Sequence, residues 1–110
     1  MVKRVATVCV LALLAACHAD DTTAPLTGQQ AYEQACASCH DEGVDGAPRT
    51  GDPEAWADRS MLWEAVLFEH AKKGYLEMPA KGGDESLRGT AVERAAEYML
   101  TLTFPDAPKD

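Results

Sequence analysis

Among the 110 residues, the run Cys36-Ala37-Ser38-Cys39-His40 constrains the fold most. Two thiols three positions apart at the end of a helix can reach the two vinyl groups on one edge of a porphyrin and form thioethers with them. The next residue then lies beneath the iron, where an imidazole nitrogen becomes the proximal ligand. This is the C-x-x-C-H pattern of covalent c-type haem attachment. It assigns Cys36 and Cys39 to the cofactor and His40 to the metal. C-x-x-C also serves thiol exchange and zinc binding. A zinc site needs four ligands, and outside the motif the chain beyond residue 16 offers Cys17, His18 and His70, with no second paired spacing. A thioredoxin-like site needs βαβ patterning, which the flanking sequence lacks.

Residues 1–16 read as a removable secretory signal: Lys3 and Arg4 form a charged start, and Val5 to Ala16 an apolar run. The run is too short to span a bilayer as a finished helix. Leu14-Ala15-Ala16-Cys17 resembles a bacterial lipobox, which implies cleavage before Cys17 and lipid on its thiol. The protein would then be anchored on the periplasmic side of a cytoplasmic or outer membrane. Cleavage near Ala19 also satisfies the small-residue rule. With Cys9 in the signal, Cys17 acylated, and Cys36 and Cys39 on haem, none of the four cysteines is left for a disulfide.

Residues 17–26 read as a polar tether, 27–104 as the folded domain and 105–110 as a tail. So small a domain buries little surface by itself, and a large apolar cofactor would supply much of its core. Thr27 is a candidate N-cap for a first helix over Gly28 to Cys36. Gly28, Tyr32 and Cys36 share one face of it, where a glycine lets another helix approach. Gly28 also fits as a second cap.

The run from Asp41 to Pro53 is rich in glycine, proline and short polar residues and reads as a loop able to wrap a flat cofactor. A ligating histidine usually gives its second N–H to a carbonyl, and the Pro48 carbonyl is the candidate acceptor. Asp52 should cap a short helix with Pro53 in its first turn. A third helix is expected from Ser60 to about Lys73, with an apolar stripe through Leu62, Ala65, Val66 and Phe68 to Glu69, ending at Gly74. Its Trp63 reads as core. Met61 and His70 are formal iron ligands but sit on a regular helix, His70 on its solvated face. Met78, by contrast, lies in a loop with Gly74 before it, Pro79 directly behind, and Gly82 and Gly83 after. That constraint suits a distal thioether ligand, which favours ferrous iron and raises the reduction potential relative to a second histidine.

Asp84 is the expected cap of a last helix from Glu85 to about Leu102, with Leu87, Ala91, Val92, Ala95, Tyr98, Met99 and Leu102 as its stripe and Phe104-Pro105 as its stop. No segment alternates with period two, so the fold should be all-α. The chain has 10 basic and 18 acidic residues, a formal charge of −8, which argues against nucleic acid as a partner. Lys72, Lys73 and Lys81 bracket the Met78 loop, while acidic residues crowd the stretch after His40. Such segregation would give a dipole that orients a diffusing carrier, or the lysines serve only to keep the surface soluble.

Taken together, Gly28-x3-Tyr32, Cys36-x2-Cys39-His40, Gly46-Ala47-Pro48, Gly51-Asp52, Trp56-x2-Arg59, Met78-Pro79-x2-Gly82-Gly83 and Ala95-x2-Tyr98-Met99 resemble a class I bacterial monohaem cytochrome c of the short cytochrome c-five type. The resemblance covers about residues 28–102. It implies three main helices around one haem held by His40 and Met78, a crossing of the first and last helices near Gly28 and Tyr98, and Trp56 and Arg59 beside the cofactor. It implies a monomeric electron carrier, not an enzyme, that meets redox protein donors and acceptors. A fixed haem subunit of a dehydrogenase or oxidase remains an alternative. So does a five-coordinate haem sensor or peroxidase-like protein.

Overall fold

The computed structural model describes residues 24–59 and 64–107. The expectations for the signal, for Cys17, and for Met61, Leu62 and Trp63 lie outside the described residues. Within them the chain is helical, with no strand beyond an isolated bridge between Tyr75 and Met78.

Helix α1 (Gly28–Ala35) starts at a capping box. The Gln30 N–H donates to Thr27 Oγ1 at 3.1 Å, and the Thr27 N–H donates back to the Gln30 side chain at 2.9 Å. The expected helix through Cys36 stops one residue early: Cys36 bends the backbone (φ −112°, ψ −37°), and a separate turn, α2 (Ala37–His40), carries the rest of the motif. The His40 N–H still reaches the Cys36 carbonyl, so the two thiols and the imidazole hang from one hydrogen-bonded turn.

Helix α3 (Pro53–Trp56) forms as expected, with Asp52 accepting from the Glu54 and Ala55 N–H groups. Helix α4 (Glu64–Lys73) is phased differently from the sequence expectation. Ala65 and Val66 are exposed, whereas Leu67, His70 and Ala71, spaced i, i+3, i+4, turn inward. His70 is therefore half-buried and does not lie on a solvated face.

Helix α5 (Gly89–Thr103) begins four residues later than expected, with Arg88 at its N-cap position and no side-chain cap. Asp84 instead closes the preceding turn. Its carboxylate accepts from the Ser86 N–H at 3.0 Å and from Gln34 Nε2 of α1 at 2.8 Å, stitching that turn to the first helix. The inward stripe is Ala91, Val92, Ala95 and Met99, as expected, but it finishes on buried Thr103, while Leu102 is exposed. Steps of four from Ala91 lead to position 103, which explains the swap.

α1 lies across α5 where small residues meet. Ala31 and Ala95 are both fully buried, and a Cβ on Gly28 would collide with the Arg94 carbonyl oxygen. Tyr32 and Tyr98 pack beside this contact with ring centroids 5.4 Å apart. α4 also packs on α5, and Lys72 ties the two with an ion pair to Glu93 (2.7 Å) while pairing with Glu69 of its own helix (2.5 Å). Lys73 pairs with Glu69 at 2.7 Å.

Candidate haem-binding site

The helices enclose a cavity of about 830 Å³, within the range of roughly 300–1,000 Å³ usual for cofactor pockets. Cys36, Cys39 and His40 line one wall, and Pro48 lines it from the loop, Trp56 from α3 and Arg59 from the turn after it. Met78 comes in from the loop after α4. All seven residues singled out in the sequence therefore meet in one space.

His40 is buried, and its Nδ1 lies 2.8 Å from the Pro48 carbonyl oxygen. A carbonyl can only accept, so Nδ1 carries the proton and the Nε2 lone pair is free to ligate. The Trp56 ring stacks on the imidazole at 6.0 Å and 22°, while its indole N–H donates to the Arg49 carbonyl at 2.9 Å. That second contact holds the peptide next to Pro48, so the acceptor of the histidine's hydrogen bond is itself fixed.

Met78 sits on a tight turn. Tyr75 and Met78 exchange both backbone N–H···O bonds, at 3.0 and 2.9 Å, around Leu76 and Glu77. Leu76 adopts the left-handed φ of 50°. After Pro79, a 3-10 turn over Ala80–Gly83 brings Gly82 against the end of α1, where a Cβ would strike the Ala35 carbonyl oxygen. The methionine loop is thereby docked one residue from Cys36.

His70 and Tyr75, which the sequence did not bring together, stack face to face at 3.9 Å and 7° on the cavity wall. The signal available was the i, i+4 spacing of His70 and Gly74 behind Leu67, which points one face of the helix at the methionine turn.

These residues fit a covalent haem. The space is lined mainly by apolar side chains, with two thiols, an imidazole with a free nitrogen, and a thioether converging on it. Burial, and then the neighbouring Cys39, pushes the Cys36 thiol up to about 11. A thiol-exchange motif lowers its thiol pKa instead.

Residues 23–99 match the family described as cytochrome c oxidase, cbb3-type, subunit III. The chain belongs to this family of cytochromes c. It is similar to cytochrome c-555 of Chlorobaculum tepidum, at 40% identity over 77 residues, covering 66% of this chain and 71% of the relative. It is also similar to cytochrome c5 of Ectopseudomonas mendocina, at 32% identity over 69 residues, covering 61% of this chain and 79% of the relative. Among solved structures, one described as an electron transfer complex of nitrite reductase with cytochrome c aligns with a TM-score of 0.64 at 33% identity, covering 69% of this chain and 93% of the other. This cytochrome c is thus a class I monohaem protein of the c5 type, all-α, with one c-type haem attached through Cys36 and Cys39, and its function is electron transfer.

Proposed function

We propose that the protein is an exported, lipid-anchored one-electron carrier whose haem iron is held between His40 and Met78. Bound haem supplies an iron that alternates between ferrous and ferric states while electrons pass through the cofactor edge. His40 and Met78 are the residues that would hold its iron. His40 presents Nε2 because Pro48 occupies Nδ1, and the Tyr75–Met78 turn presents a thioether. With His40 and Met78 both on the iron no coordination position would be left for a substrate, so the protein would carry electrons and would not catalyse a reaction. The observation that carries this reading is the arrival of Met78, on a turn braced by two backbone hydrogen bonds, in the cavity that His40 lines.

Met78→Ala tests it. The variant should keep covalent haem, lose potential and bind carbon monoxide in the ferrous state, which the wild type should not. Equal binding by both would remove the methionine from the iron.

The anchor rests on Leu14-Ala15-Ala16-Cys17. Several acyl chains on one residue attach firmly, since each buried methylene contributes roughly 0.8 kcal/mol. Cys17→Ser should release holoprotein into the soluble fraction, and mass spectrometry should find lipid on the wild-type terminus. An unmodified terminus contradicts the anchor.

The family description favours a second reading, in which the chain is a fixed haem subunit of an oxidase or dehydrogenase. Stable copurification with a larger enzyme in mild detergent would select it. A free carrier elutes alone.

A further inference from the structure

The loop over residues 41–50 bears the Pro48 carbonyl, yet it has little regular structure of its own. Gly43, Asp45 and Gly46 all take left-handed backbone, at φ 79°, 52° and 81°. Its two ends meet beside His40, where the Thr50 N–H donates to the His40 carbonyl at 2.8 Å. A side chain from outside the loop reaches both ends. The Tyr32 hydroxyl donates to the Asp41 carboxylate and lies 3.1 Å from Thr50 Oγ1, whose own hydroxyl can donate to it.

Tyr32 is well suited to act as a strut. Its ring is 5% exposed, it projects from the capped helix α1, and it is wedged against Tyr98 at the α1–α5 crossing. Burial first, and then the bond to Asp41, pushes the phenol up to about 12, so it remains a donor under any physiological condition. Packing alone would be served equally by phenylalanine, which would bring no buried hydroxyl needing partners.

We propose that the Tyr32 hydroxyl is the positioning group of the proximal site, clamping Asp41 to Thr50 so that the Pro48 carbonyl stays against His40 Nδ1. The chain of contact runs from the helix crossing through Tyr32 to both ends of the loop, and from Pro48 to the imidazole. Gly51, just past the clamp, is held in turn by its N–H bond to the buried Thr103 Oγ1 at 3.0 Å. The helix crossing thus governs how firmly the histidine's N–H is held, and with it the electron density that His40 gives the iron. This rests on His40 being the proximal ligand.

The test uses ferrous holoprotein uniformly labelled with nitrogen-15, and follows hydrogen exchange of the His40 Nδ1–H by NMR. Wild type, Tyr32→Phe, Thr50→Val and the control Tyr98→Phe are compared, with the buried α5 amides of Val92 and Ala95 as internal references for global opening. Thr50→Val loses one clamp hydrogen bond, worth about 1 kcal/mol, and should speed Nδ1–H exchange several-fold, up to roughly ten-fold, while Tyr32→Phe loses both and should speed it at least as much. The α5 amides should keep their wild-type rates, and Tyr98→Phe should leave Nδ1–H unchanged. Wild-type Nδ1–H exchange in both clamp variants, or a rise matched by the α5 amides, overturns the clamp. A wild-type spectrum in which His40 Nε2 is not iron-bound instead overturns the ligation reading beneath it.

Discussion

At Gly82 the backbone has a left-handed φ of 63°, and a side chain would strike the carbonyl oxygen of Ala35. Both facts demand glycine, and both serve the site, because this contact docks the methionine loop against the end of α1 beside Cys36. Gly82→Ala should therefore destabilise the holoprotein by roughly 1–3 kcal/mol, the usual cost of forced overpacking, and should weaken methionine ligation before it unfolds the helices. Denaturant titration followed separately by the methionine-to-iron absorption and by helical circular dichroism measures both. Coincident, wild-type transitions would show that the contact is not needed. At His40, bonding to Pro48 and stacking on Trp56 leave the ring little rotational freedom, so the ligand is oriented before iron strain could move it.

Among the elements, α5 begins without a side-chain cap although Arg88 has the extended backbone (φ −73°, ψ 149°) of an N-cap residue. Arg88→Asp should satisfy a first-turn N–H and stabilise the protein by about 1 kcal/mol. A thermal midpoint at or below wild type would mean that the α5 terminus is not limiting. The same region shows what the sequence left hidden. Asp84 has the right chemistry for a cap, but an Asp-x-Ser segment can equally close its own turn, and here the side chain of Gln34, distant in sequence, decides the matter. Thr27 was legible because its capping partner Gln30 lies three residues away. The phase of α4 was not legible, since apolar residues run around the helix and the cavity and Tyr75 select the face of Leu67, His70 and Ala71. The contact of Pro48 with His40, the α3 cap and the arrival of Met78 at the cavity were readable because each rests on local chemistry. The strut from Tyr32 to the loop joins side chains that no local pattern connects.

For the whole molecule, charge and cofactor dominate. Of the three lysines that bracket the methionine loop, Lys72 and Lys73 are paired with carboxylates, whereas Lys81 makes no ion pair among the described residues. Lys72 and Lys73 hydrogen-bond to Glu69 and hold its carboxyl down to about 2, while Glu69 and Glu93 raise Lys72. The acidic excess of the chain should then dominate long-range steering, and electron transfer with a basic-faced partner should slow as salt is raised. Stopped-flow rates that do not change with ionic strength would contradict this. The cofactor cavity lies among α4, α5 and the two site loops, so haem is part of the core as well as the redox centre. The central claim, a six-coordinate carrier with His40 and Met78 on the iron, is tested most directly by a redox titration of purified wild-type holoprotein monitored by visible absorption. The account predicts a single one-electron transition, a weak sulfur-to-iron band near the red end in the ferric form, and a low-spin ferrous form. A high-spin, five-coordinate spectrum in either state would contradict it.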